Sequence, residues 1–237
     1  MSASMANPTI LSIESEPLVR LIASAAAHHV NGVWLSLAET FVNRLAPAGL
    51  LAKRRQPADP AATLATVREA TAVLVGAGAG ALATGADAMH AAPDIVEGLF
   101  KFASAVAVRF PAALLAPPSE ALGHLLGLSV EGLRLPDRYS LQAVTGFLTS
   151  LLRGSRSPTD LTAALDPPLR AHGRAMIGRI IAGAEGHSPR SVVPNLAELL
   201  AALVTRLTKD SAVWLGEALS IVRPVARSSR PCSPRLT

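Results

Sequence analysis

Aromatic residues make up only 3% of the 237 positions, and there is one cysteine. Cys232 stands in a Ser/Pro/Arg-rich stretch, so neither a disulfide framework nor a cysteine-based metal site is available, and a reducing compartment is the natural fit. Strand-type runs of Val, Ile, Thr and Tyr are scarce, which argues against a sheet. The longest uncharged stretch, Thr71 to Ala86, is rich in Ala and Gly and ends at Asp87, too short and too weakly apolar to span a bilayer. The opening MSASMANPTILSIESEPLVR has no basic start and meets Glu14 and Glu16 early, so no secretory signal is read there.

What is present is apolar and small. Half of the residues are hydrophobic, and with so few aromatics that content is Ala, Leu and Val, which favour helix and pack as close helix-on-helix layers. The formal charge of +5 points to an acidic or phosphorylated partner. Several arginines crowd into the last fifteen positions, however, and no basic face interleaved with aromatics appears, so direct nucleic-acid binding is not expected.

The helical period recurs along the chain. In AAPDIVEGLFKFASAVAVRFP, Pro93 and Asp94 suit a helix start, Ile95, Leu99, Phe102 and Val106 form an apolar stripe, and Glu97 with Lys101 makes an i,i+4 pair. Pro111 marks a turn or kink. PPSEALGHLLGLSVEGLRL places Ser119 as an N-cap before Leu122, Leu125, Leu126 and Val130. Pro136 and Asp137 then open a helix with Leu141, Val144, Leu148, Leu151 and Leu152 on one face.

Beyond a polar break at GSRSPTD, PPLRAHGRAMIGRIIAGAEG runs from Pro to Gly, the asymmetry of a helix. SPRSVVPNLAELLAALVTRL and a short KDSAVWLGEAL follow. Earlier helices are expected from Glu16 to His28, Val33 to Leu45 and Ala61 to Val75, with a polar Pro-rich loop at AKRRQPADPA.

Asp94, Asp137 and Arg190 open successive helices roughly 40 to 50 residues apart, each followed by a second helix, the period of HEAT and armadillo arrays. The fold class expected is therefore all-α, a superhelix of antiparallel helix pairs. Residues 16–221 are assigned to the repeats, most regular over 93–220, with 1–15 and 222–237 as disordered ends and the latter as a basic tail.

Candidate chemistry is sparse. TAVLVGAGAGALATGADAM imitates a dinucleotide fingerprint through Gly76, Gly78 and Ala81, but no strand–helix–strand context surrounds it, and an Ala/Gly-rich helix or loop at a close helix approach is the plainer reading. His28 and His29 are adjacent, and His90, His124, His172 and His187 show no ligand spacing. GLSVEG only imitates a nucleophile elbow and lies in a helical period, and the carboxylates are isolated on helix faces. No catalytic residue, cofactor or metal is expected, and the chain reads as a non-enzyme.

One charged group is retained as a possible protein-binding site: Arg170, Arg174 and Arg179 on the helix after Pro168. Arg170 and Arg174 are one turn apart, and a bound carboxylate or phosphate would relieve their repulsion. If that helix is the second of its pair, its exposed face looks toward the concave side of the stack, where repeat proteins usually bind.

The runs PDIVEGLFKFASAVAVRFPAALL, LPDRYSLQAVTGFLTSLL and HGRAMIGRIIAGAEGHSPRSVVPNLAELLAALV resemble the C-terminal HEAT repeats of karyopherin-β nuclear transport receptors, of the branch containing importin thirteen and transportin-SR. The resemblance covers roughly residues 90 to 220. It implies a binding protein that takes cargo or nucleoporins in nucleocytoplasmic transport and is present in both nucleus and cytoplasm. It also implies a piece without the N-terminal repeats that contact the Ran GTPase, so Ran is expected only where a longer chain supplies them. A helical-repeat scaffold in some other assembly is the alternative.

Overall fold

The computed structural model describes residues 8–45, 59–83, 85–116, 119–154 and 163–228. Eleven α-helices lie within them: α1 Pro8–His28, α2 Gly32–Leu45, α3 Pro60–Ala81, α4 Ala86–Ala91, α5 Pro93–Arg109, α6 Pro111–Leu115, α7 Glu120–Gly132, α8 Arg138–Gly154, α9 Asp166–Ala182, α10 Val193–Arg206 and α11 Thr208–Ser228. Among the described residues there is no strand.

Polar side chains and prolines set the helix starts. Asn31 Oδ1 accepts from Trp34 N at 3.0 Å to open α2, and Asp59 Oδ1 accepts from Ala61 N and Ala62 N at 2.9 and 3.1 Å to open α3, with Pro60 in its first turn. Ser119 Oγ accepts from Leu122 N at 3.3 Å for α7 and donates to the Leu114 carbonyl. Asp137 Oδ2 accepts from Ser140 N at 2.7 Å for α8. Asp94 acts differently from a simple helix opener: from the first turn of α5 its Oδ2 accepts from Gly32 N at 3.2 Å, satisfying the start of the neighbouring α2.

The long helices alternate between two rows. One row stacks α2, α5, α8 and α10; the other stacks α1, α3, α7, α9 and α11, so each helix of one row packs against its sequence neighbour in the other. The buried side chains form one continuous core between and within the rows, with Phe100, Phe102 and Phe147 the largest fully covered. This is the all-α HEAT-like repeat architecture expected from the periodicity.

Between α5 and α8 the repeat is legible in contacts at matching levels. Ser140 Oγ donates to the Pro93 carbonyl at 3.4 Å near the starts of the helices, the Phe100 and Phe147 rings lie 5.7 Å apart in a tilted pair, and Ser104 Oγ donates to Ser150 Oγ at 3.1 Å toward the ends. The two helices therefore run parallel in register.

Small residues let the backbones close up. A Cβ on Gly98 of α5 would lie 2.9 Å from Leu35 Cβ and 3.3 Å from the Gly32 carbonyl of α2, so glycine is what the α2–α5 spacing allows. Gly78, buried on α3, would meet Leu99 of α5 at 3.0 Å. The glycine-rich stretch is thus helix to Ala81, beyond the Val75 end expected, and its middle glycine is a packing position.

Two boundaries move. α1 begins at Pro8 rather than Glu16, and α11 runs to Ser228 rather than closing near Leu219, so part of each expected disordered end is helical. Residues 1–7 and 229–237, most of the AKRRQPADPA loop and the GSRSPTD break after Gly154 lie outside the described residues.

Two measurements follow. Gly98→Val is expected to destabilise the fold by about 1–3 kcal/mol through overpacking, whereas Gly76→Ala, at an exposed mid-helix site with nothing within 4 Å of the new Cβ, stabilises by about 0.5–1 kcal/mol; urea unfolding of both variants checks the opposite signs. Asp137→Ala removes the α8 cap at a cost of about 1 kcal/mol at neutral pH. Its hydrogen bonds with Ser140, then the Tyr139 amide and the charge of His90, hold the Asp137 carboxyl below its ordinary 3.8 against an opposing effect of burial. The cap is therefore fully effective above that value and fades as pH falls through the lowered one, so the gap between parent and variant narrows in strong acid.

Candidate protein-binding face

The exposed side of the α2–α5–α8 row is grooved. A trough of about 560 Å³ runs between α2 and α5 past Val33, Ser36, Leu37 and Thr40 on one wall and Asp94, Glu97, Gly98 and Lys101 on the other. A second, of about 220 Å³, lies between α5 and α8 beside Tyr139, Gln142 and Gly146, and it shares Glu97 and Lys101 with the first. A third, of about 260 Å³, continues toward the ends of α2 and α5 past Asn43, Ser104, Val108 and Arg109. The three are one corrugated surface centred on α5.

Apolar side chains are left in water along it: Val33 is 74% exposed, Tyr139 58% and Val108 54%. Val33 is left outside because α2 carries apolar residues on two sides. Leu35, Ala38, Val42 and Leu45 face the core, while Val33 and Leu37 face outward and Phe41, in line with them, packs half-buried against the core. Arg138 lies over the Tyr139 ring, 5.5 Å from its centroid, and fixes that ring at the rim.

At the centre Lys101 Nζ donates to Glu97 Oε1 at 2.6 Å. That bond raises the lysine above its ordinary 10.5; partial burial opposes it, and the charges of Glu97 and Glu39 add to it. The small stabilisation of this exposed pair is complete below 10.5 and is lost only as pH rises through the raised value, so Lys101 stays charged across physiological pH.

The arginines singled out from sequence sit on the other row. Arg170 Nε lies 3.0 Å from Asp210 Oδ2, and Arg174 Nε lies 2.8 Å from Glu217 Oε2, the latter an ion pair without hydrogen-bond alignment. The carboxylates that relieve their repulsion therefore come from α11. Arg179 is half-buried with no ion-pair partner among the described residues. Arg206 likewise reaches Asp166 at 2.8 Å, tying α10 to α9.

The remaining sequence candidates are structural. Gly76, Gly78 and Gly80 lie inside α3, far along the helix from its start at Pro60, so no strand-to-helix turn exists there to hold a phosphate. Ser129 of the GLSVEG run is buried and donates to the Leu125 carbonyl at 2.6 Å. Among the described residues no three His, Cys, Asp or Glu side chains come together, and no helix is long and apolar enough to cross a membrane.

The grooved face was not singled out from sequence. Its one sequence-level signal is the pair Val33 and Leu37 on α2, one turn apart and offset from the stripe that packs.

Comparison with known proteins returns a match to the family described as Importin 13 repeat over residues 133–211, from the turn before α8 through α9 and α10 into the first turn of α11. No curated protein matches the chain. The matched family is one of transport receptors rather than enzymes, and its members have protein partners. Residues 133–211 are thus similar to the repeat of importin-13-like transport receptors.

Proposed function

We propose that this chain binds protein cargo or nucleoporins in nucleocytoplasmic transport, and that it does so on the α2–α5–α8 face. The observation that carries this is the Importin 13 repeat lodged in a continuous two-row stack, α8 being both the first helix of the matched segment and one wall of the groove. A stack of helix pairs offers a long surface with no enclosed cavity, which suits a protein segment better than a metabolite. The face has the composition of a contact surface: isolated aliphatics and an aromatic among paired charges.

The Arg170–Arg174 helix is the less favoured place for the partner, because each of those guanidiniums already has an intramolecular carboxylate. Arg179 remains available beside them. The proposal places the chain in both nucleus and cytoplasm, with Ran engaged through N-terminal repeats where a longer chain carries them.

Pull-down from nuclear extract, with and without GTP-loaded Ran, tests the reading. Identified nucleoporins or transport cargo should be recovered by the parent and reduced with the surface variant Leu37→Asp/Tyr139→Asp. Recovery of none of these, or recovery undiminished by the double variant, would contradict respectively the transport role and the face assigned to it.

A further inference from the structure

We infer that the lower end of the α2–α5 groove selects an acidic, leucine-bearing protein segment, a specificity that rests on the proposed binding face and sharpens it. The groove is electrically polarised along its length. Near the starts of α2 and α5 it carries Asp94 and Glu97, but Asp94 is engaged by Gly32 N and Glu97 by Lys101. Near the ends stand Arg44 and Arg109, both exposed and without an ion-pair partner among the described residues. Asn43 and Arg109 line one trough, with Glu39 the one carboxylate lining it, and Arg44 follows Asn43 in the last turn of α2.

Glu39 forms no ion pair with either arginine, and the sequence after α2 supplies no further carboxylate before Asp59. Between Leu45 and Asp59 it has Lys53, Arg54 and Arg55 and neither Asp nor Glu. This contrasts with Arg153 and Arg206, at the ends of α8 and α10, which reach Glu198 at 2.6 Å and Asp166 at 2.8 Å. Two arginines at equivalent helix ends are thus satisfied within the stack and two are not.

A cation in the last turn also complements the helix dipole, and that alone accounts for an arginine at each helix end. It does not account for the exposed Val108 beside Arg109, nor for the aliphatic Val33 and Leu37 farther up the same groove. Guanidiniums beside aliphatic troughs match a segment that presents carboxylates and leucine-like side chains together. Nucleic acid fits less well, because Val and Leu offer nothing to a phosphate backbone or to a base face.

The test uses the full chain and a labelled peptide in which leucines at helical spacing alternate with glutamates, with a lysine-for-glutamate peptide and a single-stranded DNA oligonucleotide as comparison probes. Fluorescence anisotropy should show binding of the acidic peptide that weakens with salt and falls at least about tenfold in Arg44→Glu/Arg109→Glu. Arg190→Glu/Lys209→Glu, which changes net charge equally on other elements, should leave it nearly unchanged, and circular dichroism should show both variants folded.

Absence of acidic-peptide binding, equal binding of the lysine peptide, equal loss in the two variants, or displacement by the DNA would each overturn the inference. None of these outcomes bears on recovery of transport proteins from extract, so the selectivity can fail while the transport reading stands, and the reverse.

Discussion

The packing of α5 between α2 and α8 is the constraint on which the rest of the structure depends. Gly98 brings the α2 and α5 backbones together, and the Phe100–Phe147 pair fills the facing side of α5. With only a few aromatics in the chain, three of the largest buried side chains sit at this centre. Apolar burial here contributes about 1.5–3 kcal/mol per large side chain, well beyond the tenths of a kcal/mol that each exposed ion pair adds. The salt bridges between α9 and α11 and between α8 and α10 set alignment more than stability.

The same packing produces the functional surface. Parallel helices held at glycine-set spacing on the core side leave furrows on the solvent side, and a furrow between parallel helices keeps one end near helix starts and the other near helix ends. Acidic residues favour the first and basic residues the second through the helix dipole, so a stacked row tends to carry a polarised groove. In this chain that tendency is cancelled by intramolecular partners at α8 and α10 and left open at α2 and α5. Position in the stack, and not residue type alone, separates a structural arginine from an available one.

Much of the fold was legible because local signals agreed with one another. Ser119, Asp137 and Pro93 are starts that work through a few neighbouring atoms, and the buried stripes of α5 and α8 follow the helical period. The 40-to-50-residue spacing reappears as the Pro93–Ser140 and Ser104–Ser150 contacts. What was missed depends on tertiary partners. The Gly76–Gly80 stretch reads correctly as a close helix approach, but the end of α3 expected from sequence falls at Val75, because glycine is a poor helix former by propensity and the packing of Gly78 under Leu99 is tertiary. Asp94 reads as its own helix's opener but serves α2 across the interface. The Arg170–Arg174 pair looks unsatisfied in sequence because Asp210 and Glu217 lie some 40 residues on. The groove itself is invisible in one dimension, since Val33 and Leu37 are indistinguishable from core until Leu35 and Ala38 are seen to occupy the core side.

Native-state hydrogen exchange tests the central claim most directly, because amide protection ranks helices by the unfolding that must precede their exchange. With α5 held on both sides in its row and by α3 from the other, its amides from Leu99 to Val106 should exchange only through global unfolding, while those of α11 at the end of the stack exchange first. Exchange of the α5 amides as fast as those of α11 would contradict the account.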